Sequence, residues 1–112
     1  MVHPVDILPT VAEYLGIKPP EGIKGVSMGA PANVRPSIVA IDYFDNVAPA
    51  SSSACVRTAA YKFMLLDWHT ATPEERFYRL VADPDETTDL GPNAFKAVQN
   101  QMRAALLDAL PD

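Results

Sequence analysis

The stretch "VDILPTVAEYLGI", residues 5–17, carries a compact helical pattern almost at the start of the chain. Asp6 is a good N-cap, because its carboxylate can accept hydrogen bonds from the free N–H groups of the first turn. Pro9 falls in that turn, where a missing N–H costs nothing. Gly16 can take the left-handed conformation that ends a helix. We therefore predict a helix at about residues 6–16.

Apolar residues recur along this helix at helical spacing and form one stripe. They are Ile7, Leu8, Val11, Ala12 and Leu15. Such a stripe needs a surface to pack on, and the four residues before it cannot supply a strand. Left exposed, the stripe would be an apolar patch of the kind that drives association. The sequence therefore predicts a partner surface for residues 6–16, or self-association through them.

The remainder of the chain predicts an α+β fold. Residues 17–36 form a loop rich in proline and glycine, and residues 45–53 form a polar loop. β-rich segments bounded by turn residues predict strands. The predicted strands lie at residues 37–44, at residues 75–83, and on both sides of a turn near Ala59 and Ala60 within residues 54–68.

An amphipathic helix is predicted at residues 94–110. Its expected inner face consists of Phe95, Val98, Met102, Ala105 and Ala109, with Leu106 beside them. This helix can cover one face of a small antiparallel sheet of three to four strands. The helix at residues 6–16 is not obviously needed by that unit.

Composition excludes several classes of function. The chain has 112 residues, a net charge of −5 and nine scattered basic residues, which disfavours nucleic acid and anionic membrane surfaces as partners. There is no apolar run of about 18 residues, so no membrane span is predicted, and the N-terminus carries no signal-peptide pattern. Cys55 is the single cysteine, so neither an internal disulfide nor a thiolate metal site is predicted.

Catalytic motifs are lacking. Cys55 lies in a strand pattern, where a small buried cysteine is the simplest interpretation. His3 and His69 lie far apart in the sequence. His69 follows Trp68 at a strand end and could line a pocket there, although a turn histidine is the simpler interpretation.

Two acidic segments invite comparison with metal sites. The carboxylates of the first are Asp83, Asp85, Glu86 and Asp89. That segment lacks the mid-loop glycine and terminal glutamate of a calcium loop. Turn chemistry and charges at a helix entry explain it more simply. The second is the pair Asp45 and Asn46, for which turn chemistry is again the simpler explanation. We predict no metal site in either.

Three segments, together with the closing helix, resemble the C-terminal end of sulfatases in the alkaline phosphatase superfamily. Residues 5–28, "VDILPTVAEYLGIKPPEGIKGVSM", are similar to a helix that opens on V-D-hydrophobic-x-P-T and is followed by a P-x-G-hydrophobic-x-G-x-S loop. Residues 56–65, "VRTAAYKFML", resemble the V-R-T-x-x-Y-K strand pair. Residues 77–90, "FYRLVADPDETTDL", resemble an L-Y-D-L-x-x-D-P-x-E-x-x-N-L strand and loop. Phe77, Arg79 and Asp89 depart from that last pattern.

The resemblance implies that the chain is the final quarter or so of a sulfatase. Residues 1–36 would be the end of the large α/β domain, and residues 37–112 the C-terminal subdomain. The missing large domain is then the expected partner of the helix at residues 6–16. Met1 is an internal methionine or a misplaced start in this interpretation.

The resemblance also implies which parts of the enzyme are absent. The family's nucleophile lies in C-x-P-S/A-R, and Cys55 is followed by a different sequence. The formylglycine and the calcium ion with its ligands are therefore expected in the full-length parent. In this chain we expect no catalytic residue, no metal ligand and no cofactor. The subdomain often borders the substrate cleft. Lys62, Trp68 and His69 are the residues expected to line it.

Three functions remain open at this point. In the first hypothesis, the parent hydrolyses sulfate esters, and the mechanism would be attack by a hydrated formylglycine, with calcium stabilising the charge of the transferring group. Alternatively, it is a related phosphoesterase or phosphonate hydrolase, or the chain is a truncated binding module without activity. The isolated chain is expected to be inactive. Many relatives are exported, so a periplasmic or secreted parent is expected.

Overall fold

A computed structural model describes residues 2–29, 35–44 and 51–111 of the chain. A turn of 3₁₀ helix at Pro4–Asp6 leads into helix α1. The regular elements are α1 (Ile7–Tyr14), β1 (Ile38–Phe44), β2 (Ser51–Arg57), β3 (Tyr61–Leu66), β4 (Glu74–Arg79) and α2 (Lys96–Ala109). This arrangement confirms the predicted α+β fold. The chain divides into two compact units, residues 1–38 and residues 39–112.

The N-terminal unit is organised around the buried carboxylate of Asp6. The predicted capping role within α1 is wrong, because Asp6 itself has helical backbone angles and makes no side-chain bond to that helix. Asp6 is already the last residue of a 3₁₀ turn, so its side chain caps that turn and not α1. The carboxylate accepts hydrogen bonds from the backbone N–H of His3 at 2.9 Å and from that of Val26 at 2.9 Å. The guanidinium of Arg35 pairs with it as well.

These bonds tie the proline- and glycine-rich loop to the start of α1. A second link joins the same elements, since the N–H of Met28 donates to the Thr10 hydroxyl at 2.9 Å. Gly25 lies so close to the first turn that a Cβ atom there would stand 1.8 Å from the carbonyl oxygen of Val5. Only glycine fits this close backbone approach.

The predicted apolar stripe of α1 is largely exposed. Ala12 is buried, together with Pro9, which the sequence did not assign to the stripe. The other members of the stripe, Ile7, Leu8, Val11 and Leu15, are between 48% and 62% exposed. We call these four side chains the α1 face. Among the described residues, this face is left about half exposed.

The C-terminal unit is an antiparallel sheet in the order β1-β2-β3-β4. Within it, Val56 lies opposite Phe63, and Phe63 lies opposite Phe77. Side chains at alternate positions point to one face, which α2 covers by packing on β2 and β3. The core beneath α2 consists of Ala54, Val56, Phe63, Leu65, Phe77, Met102 and Leu106.

Two strand predictions need correction. Ser51, Ser52 and Ser53, predicted as part of a loop, belong to β2, whose alternating burial continues the pattern of its apolar half. The strand predicted at 75–83 ends at Arg79, because the chain turns there and the N–H groups of Ala82 and Asp83 donate to the carbonyl oxygen of Arg79. The predicted turn near Ala59 and Ala60 is confirmed.

The inner face of α2 differs from the prediction. Met102 and Leu106 are buried as expected, Val98 is half-buried, and Ala105 and Ala109 are exposed. Gln99 is buried instead, and its side-chain amide donates to the carbonyl oxygens of Gly91 and Ala94 at 2.8 and 2.6 Å. The helix therefore presents a narrower apolar stripe than predicted. The stripe includes one polar residue, Gln99, which donates hydrogen bonds to backbone carbonyls of the preceding loop.

Phe95 precedes α2 and does not belong to its inner face. It has a left-handed backbone conformation with φ of 48° and is 45% exposed. Its ring lies 5.5 Å from that of Tyr61 and 6.4 Å from that of Phe77, measured between centroids. The Arg79 guanidinium lies over it at 5.6 Å. Phe95 thus packs on β3 and β4 from the turn.

The acidic segment after β4 is a turn, as predicted, but it is not the entry to α2, which begins at Lys96. The Asp83 carboxylate accepts bonds from the N–H groups of Thr87 and Thr88, and these bonds lower its pKa. Asp89 accepts from the N–H of Phe77 at 3.0 Å. These carboxylates therefore satisfy backbone donors.

Candidate functional site

Trp68 and His69, two of the residues expected to line a cleft, lie at one end of the sheet with Tyr43 of β1. The Tyr43 ring centroid is 5.5 Å from that of Trp68 and 5.5 Å from that of His69. The Trp68 and His69 rings meet edge to face at 6.4 Å. We call these three side chains the aromatic cluster.

The geometry of the sheet brings the aromatic cluster together. Tyr43 is near the end of β1, and Trp68 and His69 follow β3 in a tight turn. Asp67, which precedes them, has φ of 53°, so the chain changes direction immediately after the strand. Trp68 is half-buried and packs against the core. Its indole N–H points to the carbonyl oxygen of Asp42 at 3.4 Å.

Ser52 of β2 fixes the position of His69. The serine is 5% exposed, and its Oγ lies 2.6 Å from the imidazole Nδ1. The backbone N–H of His69 donates to the same oxygen at 3.3 Å. Two bonds to one buried hydroxyl therefore hold an otherwise exposed histidine in a defined orientation.

A polar groove of about 300 Å³ lies at the same end of the sheet. Its lining residues are Asp42, Ser51, Ser52, Ser53, Leu66 and Asp67. Successive side chains of a strand point to opposite faces, so Asp42 and Ser53 lie on the other face of the sheet from Tyr43 and Ser52. The groove carries carboxylates and hydroxyls, and no lysine or arginine among these described lining residues.

Lys62, the third predicted cleft residue, is not part of this group. It lies near the start of β3, opposite Arg57 and Tyr78, roughly 13 Å along the strand from its end at Leu66 at 3.3 Å per residue, and Trp68 follows that end. Its ammonium donates to both carboxylate oxygens of Glu86, at 3.0 and 2.8 Å. A role for Lys62 at a cleft stays a prediction.

The remaining sequence predictions concern Cys55 and metal binding. Cys55 is half-buried in β2, where it lines a second groove of about 390 Å³ with Met64 and Ile41. This groove adjoins the first, since Asp42 and Ser53 line both. Asp45 and Asn46 lie outside the described residues. Within residues 2–29, 35–44 and 51–111, no three His, Cys, Asp or Glu side chains come together as a metal site. A calcium ion therefore has no fitting ligand set there, and we assign it no step.

Sequence reasoning missed Tyr43, Ser52, Asp42 and Asp67. The alternation of buried residues in β2 could have found Ser52, because Ser52, Ala54 and Val56 point the same way. The contact between Tyr43 and the turn after β3 depends on the order of the strands, which no local pattern contains.

Neither helix combines the length and apolar character of a membrane span in the part of the chain that the structure describes.

The fold matches part of several solved structures. BT4656, solved in complex with its substrate D-glucosamine-2-N,6-O-disulfate, is 21% identical with a TM-score of 0.73 over 92% of this chain and 22% of its own. BT1596, a 2-O GAG sulfatase, is 23% identical with a TM-score of 0.78 over 92% of this chain and 23% of its own. A candidate sulfatase from Bacteroides thetaiotaomicron VPI-5482 gives the same four values as BT1596.

This chain therefore has the fold of a portion of sulfatase structures, as the sequence motifs indicated. It spans less than a quarter of the length of the structures that it matches. No family model and no curated protein sequence matches the chain.

Proposed function

We propose that the chain is the C-terminal part of a sulfatase whose whole protein hydrolyses sulfate esters of saccharides. The observation that carries this proposal is the fold match over 92% of the chain at TM-scores of 0.73 to 0.78. The motifs at residues 5–28, 56–65 and 77–90 support it, because they occur in the order that the sulfatase pattern requires. The substrate class is taken from the saccharide sulfates named for BT4656 and BT1596.

The α1 face supports the presence of a large domain outside this chain. Burying four such side chains stabilises an assembly by roughly 1.5 to 3 kcal/mol each. The four members of the face are 48% to 62% exposed among the described residues, so about half of that energy is still to be gained by burying them. We assign residues 1–36 to the end of the large α/β domain, with the α1 face packed on the remainder of that domain, and residues 37–112 to the C-terminal subdomain.

The role of this chain in that enzyme is to bind and orient substrate. The nucleophile and the metal ligands belong to the large domain, where a formylglycine and a calcium ion supply the ester-cleaving chemistry. The aromatic cluster borders the substrate cleft in this proposal, and His69 offers a ring nitrogen to a polar substrate group. The isolated chain then has no hydrolytic activity.

The coding sequence upstream of Met1 tests this proposal. An in-frame C-x-P-S/A-R motif within a reading frame several times longer supports a sulfatase. A serine or threonine nucleophile without that motif indicates a related phosphoesterase instead. A stop codon immediately before Met1 contradicts the proposal and leaves a truncated binding module.

A further inference from the structure

We propose that β1 is an association edge, at which a second copy of this chain pairs its own β1 antiparallel across a twofold axis through Ile41. This pairing joins the two four-stranded sheets into one continuous sheet. The inference goes beyond the proposed function and does not rest on it, because association of the chain needs neither substrate nor a large domain.

The other edge of the sheet, β4, is guarded against such pairing. An edge strand presents unpaired N–H and C=O groups, and proteins protect it with charged side chains, proline or a covering loop. Four of the six residues of β4 are charged, and Pro73 precedes them. On its outer side, the N–H of Phe77 donates to the Asp89 carboxylate at 3.0 Å, and its carbonyl oxygen accepts from the N–H of Leu90 at 2.9 Å. The loop after β4 therefore occupies positions that an added strand would use.

β1 carries none of these protections. Its sequence, IVAIDYF, has no proline, lysine or arginine, and Asp42 is its single charge. Within residues 2–29, 35–44 and 51–111, the only hydrogen bond to its backbone from outside the sheet joins the Trp68 indole N–H to the carbonyl oxygen of Asp42, at 3.4 Å. No N–H of β1 meets an acceptor outside the sheet in these ranges. β1 therefore offers a free row of backbone groups to another strand.

The side chains of β1 that share the face of α2 are only partly covered. Val39 packs against the core, whereas Ile41 is 40% and Tyr43 47% exposed, since α2 packs on β2 and β3. With the axis at Ile41, Val39 of each copy lies opposite Tyr43 of the other, and the two Ile41 side chains lie opposite each other. Pairs of aromatic and β-branched residues on neighbouring strands stabilise sheets. The second copy thus continues the apolar surface that begins at Val39.

The single charge of β1 selects this register. Ala40 and Asp42 are exposed on the opposite face of the sheet, and with the axis at Ile41 each Asp42 lies opposite Ala40 of the second copy. Moving the axis to Asp42 would place the two carboxylates directly opposite each other, and like charges in that position are destabilising. Moving it to Ala40 would set Tyr43 opposite Ser37, which lies before the strand begins. The charge pattern of the strand therefore favours the axis at Ile41.

The charge at position 40 tests both the pairing and its register. We would measure the dimer Kd by sedimentation equilibrium in the Leu8→Ser background, which weakens association through the α1 face. Ala40→Lys places an ammonium group opposite Asp42 of the second copy, twice by symmetry, and should lower the Kd about fivefold. Ala40→Glu places a carboxylate there and should raise the Kd about fivefold. Equal Kd values for the two variants, the reverse order, or a Leu8→Ser chain that stays monomeric up to about 1 mM would overturn the proposal.

A matched pair of variants controls for net charge. The chain has a net charge of −5, so an added lysine or glutamate changes the repulsion between any two copies. Ala104→Lys and Ala104→Glu make the same changes on α2, where Ala104 is exposed. At physiological ionic strength, where distant charges are screened, both should leave the Kd nearly unchanged. A response as large as that at Ala40 would show that net charge controls association, and would overturn the proposal.

Amide hydrogen exchange tests whether the β1 edge makes the contact. Alternate residues of an edge strand direct their N–H groups away from the sheet. Alternate N–H groups of β1 should therefore exchange more slowly as the chain concentration rises. The N–H of Phe77 on β4 is the internal control, because it already bonds to Asp89 and should not respond. A dimer without protection of β1 would place the contact elsewhere and overturn the proposal.

A strand of the proposed large domain is the other candidate for this edge. In that case the isolated chain stays monomeric, and the alternate N–H groups of β1 are protected at every concentration in the protein translated from the whole reading frame. That result would overturn the proposal, whereas opposite charge effects of the two Ala40 variants in the isolated chain would support it. Neither result depends on sulfate release, so failure of this inference is distinguishable from failure of the proposed function.

Discussion

The backbone N–H of Val26 donates a hydrogen bond of 2.9 Å to the buried carboxylate of Asp6, across 20 residues of sequence. This single bond connects the loop after α1 back to the turn that begins it. Together with the bonds from His3 and Arg35, it explains why an acidic side chain is fully buried at the start of a short helix. Its charge is compensated by three donors.

The link between Asp6 and Val26 should be sensitive to acid. The N–H of Val26, followed by that of His3 and the Arg35 side chain, lowers the pKa of Asp6 from 3.8 to about 2 against the effect of burial. A lowered pKa stabilises the folded state above the unfolded-state value near 3.8 and loses that contribution as the pH falls through about 2. The Val26 amide shift should therefore titrate near pH 2. Titration near pH 4, or a similar titration in Asp6→Asn, would contradict this interpretation.

Gly25 should not tolerate a side chain. A Cβ atom at this position would stand 1.8 Å from a backbone oxygen, so the loop must move away from α1. Gly25→Ala is expected to destabilise the N-terminal unit by about 1 to 3 kcal/mol in urea unfolding, as an overpacked contact does. Gly29→Ala is the matched control, because its nearest neighbours would lie 3.8 Å away. Equal stability of the two variants would argue against the close approach.

Phe95 offers a test of backbone conformation against side-chain contact. Both Phe95→Ala and Phe95→Gly lose the contacts with Tyr61 and Phe77. Only glycine also relieves the left-handed conformation, which costs other residues about 1 to 2 kcal/mol. The glycine variant should therefore unfold at a higher denaturant concentration than the alanine variant. The reverse order would show that the left-handed conformation of Phe95 carries no such cost.

Polar substitutions in the α1 face should leave the stability of the isolated chain nearly unchanged. Leu8→Ser removes an exposed apolar side chain, so it should leave the free energy of unfolding within about 0.5 kcal/mol and reduce self-association. Ala12→Ser is the control, because Ala12 is buried and the added hydroxyl should destabilise the unit. Sedimentation and urea unfolding measure the two effects. A Leu8→Ser chain that unfolds much more easily would mean that α1 packs on this chain.

The sequence predicted the elements that depend on local patterns. Apolar residues alternate in β2 and β3 because one face of the sheet is buried, and the structure has that pattern. Apolar residues recur at helical spacing around Met102 and Leu106 for the same reason. Boundaries were less predictable where a polar residue has a structural partner. Asp6 looked like a cap because the donors Val26 and Arg35 lie far away in sequence.

The candidate site was predictable only in part. Trp68 and His69 were noticeable because an aromatic pair at a strand end can line a pocket. Tyr43 and Ser52 belong to other strands, and their contacts with His69 arise from sheet order. No local pattern indicates a partner for the charge of Lys62, which the structure pairs with Glu86. A single sequence contains no direct sign of such pairings.

Sulfate release from a saccharide sulfate is the most direct test of the proposal that this chain is part of a sulfatase. The measurement compares the chain alone with the protein translated from the whole reading frame that contains it. We expect release by the longer protein, no release by the chain alone, and loss of activity when the α1 face of the longer protein is replaced by serine. Release of sulfate by the chain alone, or none by a folded longer protein, would contradict the proposal.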